Sequence, residues 1–165
     1  MSTDILLEKY QTAYAAGAVE LWNSIVRAGR AFPQDELLTL ESGVEFFQSQ
    51  TATVLAVEKS SLQVVGLYIL HPNNVGRCGH ICNASYAVAE GFRGRRIGEM
   101  LVKDCMQQAR AAGYKILQFN AVVASNKTAL NLYKKLGFTQ LGLIPGGFRN
   151  IDNVYEDIIP HYITL

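Results

Sequence analysis

The sequence predicts an α/β domain built around one mixed, mostly antiparallel central sheet with flanking helices. Three observations predict it. Two helical patterns open the chain, a pair of β-branched runs follows them, and two strand–turn–helix units then precede a pair of closing strands.

The elements follow in order. Residues 4–12 read as a short first strand. From 15 to 28, Val19, Leu21, Trp22, Ile25 and Val26 recur at helical spacing. The stretch from Gly29 to Pro33 ends that helix, because the residue before a proline avoids the helical region. A second helix over 40–50 carries Val44, Phe46 and Phe47. Runs 51–58 and 62–70, separated by Lys59-Ser60-Ser61, read as a hairpin, and 71–77 holds turn formers. A strand over 80–88 leads into a helix over 95–112, with Ile97, Leu101, Cys105 and Ala109 on one stripe and Gly113 at its stop. A strand over 115–124 comes next, then an N-cap at Ser125 or Asn126 and a helix over 127–136 stopped by Gly137. Segments 139–144 and 153–159 close the chain as two strands.

Bulk properties narrow the function classes. The 165 residues suffice for one sizeable core, so 1–165 reads as a single domain. A formal net charge of +1 argues against a general nucleic-acid binder or a polybasic membrane binder. The apolar runs are too short to span a bilayer, and Asp4, Glu8 and Lys9 break any signal-peptide core. Three cysteines, Cys78, Cys82 and Cys105, lack a disulfide-framework spacing, which points to reduced thiols in a cytoplasm.

The segment from Val88 to Gly98 carries the chemistry. A strand that turns through Arg93-Gly94 into a helix starting near Arg96 presents unpaired backbone N–H groups at the positive end of a helix dipole. That is a seat for phosphate, and Gly94 and Gly98 let the backbone approach a bulky pyrophosphate. The expectation is a phosphate-bearing cofactor. The competing account is a solvated surface cluster of arginines.

The turn Arg93-Gly94-Arg95-Arg96-Ile97-Gly98 resembles the acetyl-CoA pyrophosphate loop of the GNAT N-acetyltransferases. The run from Asn126 through Ala129 and Tyr133 to Gly137-Phe138 resembles that family's second cofactor motif, and the element order agrees. The resemblance implies a GNAT-type sheet whose two parallel strands splay apart, with acetyl-CoA as cosubstrate and a possible homodimer. It implies that the amides of Arg93 to Gly98 hold the pyrophosphate, with Arg93, Arg95 or Arg96 adding charge. Asn126 and Ala129 would contact the cofactor. The pantetheine arm would pair with the strand edge near Tyr86, Ala87 and Val88, one of whose N–H groups would face the thioester oxygen. Arg96 departs from the family, which usually has glycine there; its charge strengthens phosphate binding or its bulk shifts the loop.

For chemistry, Tyr133 is the expected proton donor to the departing thiolate, since a tyrosine near ~10 stays protonated where a thiol near ~8.5 does not. Packing as a core aromatic beside Ala129 and Leu136 is compatible with that role. No carboxylate stands on 80–86, where many members carry a glutamate acting through water. Asn83 and Asn120 are instead expected as amides near the strand divergence that bind and orient the acceptor, or else as a structural amide ladder. A closer likeness, over 65–145, is to fungal acetyltransferases that detoxify proline analogues such as azetidine-2-carboxylate. It rests on Arg77-Cys78-Gly79-His80-Ile81-Cys82-Asn83-Ala84, Phe119-Asn120 and Gly142-Leu143-Ile144-Pro145. Cys78, His80 and Cys82 alternate as if on one strand face, but strand-core packing explains them better than a metal site. Phe32-Pro33-Gln34 and Gly146 to Asn150 are candidate walls of the acceptor pocket.

The expected activity is acetyl transfer to a small primary or secondary amine by direct attack, without an acyl-enzyme on Cys82. The alternatives are a protein or peptide N-acetyltransferase and a non-catalytic acyl-CoA sensor.

Overall fold

A computed structural model describes residues 4–165. Strand β1 (Ile5–Lys9) and helices α1 (Ala15–Ala28) and α2 (Leu40–Gln48) lead into β2 (Ala52–Glu58), β3 (Val64–Pro72) and β4 (Ile81–Val88). Helix α3 (Ile97–Ala111), β5 (Ile116–Val123) and α4 (Lys127–Lys135) follow, then β6 (Thr139–Gln140), β7 (Ile144–Arg149) and β8 (Tyr155–Thr164). The strands form one sheet in the order β1-β2-β3-β4-β5-β8-β6, with β7 also paired to β8. All pairings are antiparallel except β4 with β5. The sheet is mixed and mostly antiparallel, as expected.

Period-two alternation sends the strand side chains to two cores. Leu55, Val57, Leu67 and Ile69 pack under Val19, Trp22, Val26 and Phe47 of α1 and α2. Val54, Ala56, Val65 and Leu117 pack under Ile97, Leu101, Val102 and Cys105 of α3 on the opposite face. At Gly66 a Cβ would stand 2.9 Å from Ile97 and 3.1 Å from Leu101. The missing side chain there lets the first turn of α3 close onto β3, which sets where the 93–98 turn lies.

The parallel pair is short. Only Ile81↔Ile116 and Cys82↔Leu117 are in register, whereas β4 pairs with β3 from Cys82 to Val88, all but its first residue. The β4 edge from Asn83 to Val88 that faces β5 therefore has no strand partner among the described residues, which gives the expected splay.

The C-terminal third departs from expectation. The strand expected over 139–144 is reduced to Thr139–Gln140, and a separate strand runs over Ile144–Arg149 through the glycine pair expected between the last two strands as a wall of the acceptor pocket. A break in pairing between Ile144 and Phe148 absorbs those glycines, and a Cβ on Gly147 would meet Ile158 at 2.5 Å. The last strand runs past Ile159 to Thr164. Pro160 is tolerated inside it because β5 skips register between Phe119 and Val122 opposite that point, so no ladder N–H is needed. No helix among the described residues is long and apolar enough to cross a membrane.

Candidate active site

Between α1, the β4 edge, α3 and α4 lies a cleft of about 1370 Å³, larger than the ~300–1,000 Å³ of ordinary small-molecule sites. One end is the 93–98 turn. Gly94 has φ +79° and Arg96 φ +63°, so both stand in the left-handed region. Arg96 occupies the N-cap of α3 without a side-chain cap, and the first helical bond is Met100 N–H to Arg96 O at 3.0 Å. The N–H groups of Ile97, Gly98 and Glu99 are consequently without helical acceptors, beside the positive end of the α3 dipole. Gly94 and Gly98 border the cleft, and a Cβ at Gly98 would come no nearer than 3.7 Å to Leu132.

The three arginines divide. Arg93 and Arg96 line the cleft. Arg95 does not: it pairs with Glu58 at 3.6 Å and lies over the Phe92 ring at 4.6 Å. The Ile97 side chain is buried at 1% exposure in the core, so that residue offers the cleft chiefly its main chain.

Tyr86, Ala87 and Val88 bring the free β4 edge along one side. Opposite stands α4, where Asn126 accepts the Ala129 N–H at 3.1 Å as the expected N-cap while also facing the cleft with Ala129. Tyr133 follows two turns along the same helix. Its ring packs 4.6 Å from Phe119 and 5.4 Å from Phe138 and meets His161 edge-on at 5.6 Å. Burial, followed by the nearby Cys105 thiol, pushes the Tyr133 hydroxyl well above the ordinary tyrosine range, so it stays protonated at neutral pH.

Glu99, at the start of α3, borders the cleft beside two lysines. Bonds from Lys103 and Lys135, each 2.7 Å, hold its carboxyl down at about 2 despite the opposing effect of burial. Burial raises the thiols of Cys82 and Cys105 to about 12, and Cys82 donates to the Ile116 carbonyl at 3.3 Å. A thiol kept neutral in this way is a poor nucleophile.

The amides behave differently from the expectation of two buried groups. Asn83 is half-buried and its Oδ1 takes the Ala84 N–H at 2.8 Å. Asn120 is exposed, and it exchanges hydrogen bonds with Asn73 at 2.7 and 3.2 Å while accepting from Gln118 at 3.0 Å. Neither lines the cleft. Cys78 and His80 do not share a strand face with Cys82. Cys78 closes a 3₁₀ turn over Gly76–Cys78 and His80 precedes β4; both are exposed while Cys82 is buried. Phe32 is buried against Trp22 at 4.5 Å, and Arg30 and Ala31 border the cleft in its place.

Sequence reasoning missed the α1 wall. Gly17, Leu21, Ser24, Ile25 and Ala28 line the cleft at helical spacing, the small Gly17, Ser24 and Ala28 together with Leu21 and Ile25 from the edge of the apolar stripe. It also missed His161, 1% exposed, which burial keeps neutral. Its Nδ1 bonds the Ile159 carbonyl at 2.7 Å, and its Nε2 has no partner.

With this geometry in place, likeness to known proteins is informative. The model of the "Acetyltransferase (GNAT) family" matches residues 19–138. The chain is 28% identical to N-acetyltransferase aca1 of Schizosaccharomyces pombe, over 74% of this chain and 66% of that protein, so it spans slightly under two thirds of that relative's length. A GCN5-related N-acetyltransferase from Kribbella flavida superposes with a TM-score of 0.90 at 28% identity over 100% of both chains. The putative acetyltransferase yncA of Salmonella typhimurium, solved with its cofactor acetyl-CoA, has the same fold at a TM-score of 0.90 and 16% identity. That match covers 99% of this chain and 95% of the other.

Proposed function

The chain belongs to the GNAT acetyltransferase family, whose acetyl donor is acetyl-CoA, and from that premise we propose that its acceptor is the amine of a small molecule such as an amino acid or a proline-like imino acid. Residues 1–165 serve as one catalytic domain. The single observation that carries this reading is the free β4 edge, which runs between the uncapped α3 terminus and the Tyr133 ring.

The diphosphate of acetyl-CoA sits on the N–H groups of the 93–98 turn, with Arg93 and Arg96 supplying charge. Arg95 does not share that role, since Glu58 and the Phe92 ring hold its guanidinium. The pantetheine arm pairs with the main chain of Tyr86 to Val88, and the cap Asn126 and the small Ala129 face it from α4. An N–H of the β4 edge stabilises the oxyanion as the amine attacks the thioester directly. Tyr133 then gives its proton to the departing sulfur. Burial opposes a tyrosinate, but it opposes a bare thiolate as well, as the thiol of Cys105 at about 12 attests for this interior. The proton therefore moves as the C–S bond breaks.

Asn83 and Asn120, which stand outside the cleft where β4 and β5 diverge, are assigned the acceptor's other end, which reaches them through that divergence. Their Oδ1 atoms are already occupied, and each Nδ2 still has an N–H to give, so the matching ligand group is an oxygen acceptor such as a carboxylate. Carriage of that role to these residues is supported by the likeness of 65–145 to the proline-analogue acetyltransferases.

The test is release of free CoA thiol from acetyl-CoA in the presence of amino acids, proline analogues, polyamines and peptides side by side. The reading expects small amines bearing a carboxylate to lead. Turnover on peptides alone would assign the chain to protein acetylation, and saturable acetyl-CoA binding without turnover on any amine would assign it to sensing.

A further inference from the structure

We propose that His71, on the strand beside β4, is the general base that takes a proton from the ammonium group of the acceptor. The proposal rests on the small-amine reading above and fills a role for which β4 offers no carboxylate.

His71 is the next-to-last residue of β3 and is half-buried. Its partner across the antiparallel ladder is Asn83. Residues directly opposite in such a pair share a face, with Cβ atoms about 4.5–5.5 Å apart. Leu67 and Ile69, at even spacing from His71, pack with α1 and α2, and so does Ala87, at even spacing from Asn83. His71 and Asn83 therefore stand on that face of the sheet. Asn83 is also the first β4 residue past the last pair with β5, Cys82↔Leu117. The same segment reaches the other amide assigned to the acceptor. Asn73, two residues on, exchanges bonds with Asn120 and gives its main-chain N–H to the Ile81 carbonyl at 2.8 Å. One short stretch of chain thus meets both Asn83 and Asn120 at the mouth of the β4–β5 opening.

Hydrogen bonding sets the form of the ring. Nδ1 of His71 lies 3.0 Å from the Pro72 carbonyl oxygen, which has no proton to give, so Nδ1 carries the hydrogen. Neutral His71 consequently keeps its lone pair on Nε2, which has no hydrogen-bond partner among the described residues. The other two histidines lack this placement. His161 is sealed on the opposite face against Tyr133, and His80 precedes β4, on the closed side of the paired Ile81 and Cys82.

An aliphatic amine of pKa near ~10 arrives at pH 7 almost wholly as its cation and cannot attack until it loses a proton. Adjacent strands stand ~4.8 Å apart, so the opening begins one strand beyond His71, within reach of Nε2 and one water. The ammonium gives its first proton through that water to Nε2, and the imidazolium passes it to solvent. The freed lone pair forms the C–N bond, and the C–S electrons leave with sulfur, which takes the Tyr133 proton. A second proton leaves the nitrogen and restores Tyr133. The sum is one proton released per acetyl group transferred.

The experiment compares wild type and His71→Gln at pH 7 with two acceptors. One is a cationic alkylamine that the screen shows to be turned over, and the other is hydroxylamine, largely uncharged at neutral pH. His71→Gln is expected to lower kcat for the alkylamine on the order of 10²-fold, with kcat for hydroxylamine and KM for acetyl-CoA within about threefold of wild type. His71→Gly should lose as much with the alkylamine, and added imidazole should restore about tenfold or more of that loss above the enzyme-free rate. Equal losses with both acceptors would make His71 merely structural and overturn the proposal, as would unchanged turnover of the alkylamine. Should His71→Gln fail to fold, or hydroxylamine not be turned over, the imidazole arm decides, and a His71→Gly protein that imidazole leaves unmoved overturns the proposal. If no amine is turned over at all, the small-amine reading falls and takes this inference with it; turnover without the contrast or the rescue removes this inference only.

Discussion

Glu99 of α3 accepts from Lys135 of α4 at 2.7 Å, and this pair ties together two walls of the cleft that carry the cofactor motifs. Lys103, one helical turn on in α3, shares the same carboxylate. The group is depressed in the folded chain to about 2, so its contribution is present above the unfolded value near ~4.3 and is lost as pH falls from there toward 2. Lys135→Ala should therefore make thermal stability less steeply pH-dependent between about 4 and 2, measured by melting at a series of pH values. An acid limb identical to wild type would show that the α3–α4 tie contributes nothing.

Arg96 pairs a strained backbone with a charge at the cleft. At φ +63° a non-glycine residue costs about 1–2 kcal/mol, partly offset in a glycine variant by ~0.5–1 kcal/mol of extra unfolded-state freedom. Arg96→Gly is expected to gain up to about 1 kcal/mol, a rise in Tm of roughly 2–4 °C. It should at the same time raise KM for acetyl-CoA severalfold, by loss of the cation. A variant that is more stable and binds acetyl-CoA unchanged would show that the side chain plays no part in holding phosphate. Arg95→Ala, by contrast, should leave KM for acetyl-CoA near wild type, since its guanidinium is taken up by Glu58 and Phe92.

Tyr133→Phe keeps the ring packing on Phe119 and Phe138 and removes only the hydroxyl. Turnover with a good acceptor should fall on the order of 10²-fold, the lower range for a lost general acid, with KM for acetyl-CoA within about twofold. Because burial raises this hydroxyl, its protonated form persists to higher pH than a free tyrosine's. In wild type kcat/KM should climb with pH as the amine loses its proton and show no descending limb below about pH 10. An unaltered rate in Tyr133→Phe at every pH would remove Tyr133 from the acid role.

Asn73 holds Asn120 by two amide–amide bonds. Asn120→Ala should raise KM for a carboxylate-bearing amine about tenfold, and Asn73→Ala should do so more weakly, both leaving acetyl-CoA binding intact in titration calorimetry. If both variants handle the amine as wild type does, the amide pair is a surface brace and the acceptor's carboxylate lies elsewhere.

Much of this architecture was legible in the residues because the signals are local. Gly94 and Gly98 around a helix start, Asn126 three residues before Ala129, and the stripe from Ile97 to Ala109 each act within a turn or two of chain. Their placement in the structure matches that reading. What escaped depends on contacts between distant segments. Glycines 146 and 147 fall outside the two expected closing strands until Ile158 supplies the surface they lie against, and the last strand runs past its expected end at Ile159 because the β5 register skip faces Pro160. Arg95 cannot be told from Arg93 and Arg96 without knowing that Glu58 lies across from it. Asn120 reads as a buried amide in an apolar strand, yet its face of the sheet is open, and its partner Asn73 lies 47 residues away in a loop. The α1 wall escaped for another reason: Leu21 and Ile25 belong to the apolar periodicity that reads as core, and the small Gly17, Ser24 and Ala28 beside them give no hydrophobic signal of their own.

The central claim is that the uncapped start of α3, with the turn at Arg93 to Gly98, grips the diphosphate of acetyl-CoA. Titration calorimetry of acetyl-CoA at modest salt tests it most directly when wild type is run beside Gly94→Val, whose branched side chain opposes the φ of +79° that the turn requires. One saturable site per chain in wild type, weakened at least tenfold in a folded Gly94→Val, is the predicted result. Absence of saturable heat in wild type, or equal affinity in both proteins, would contradict it.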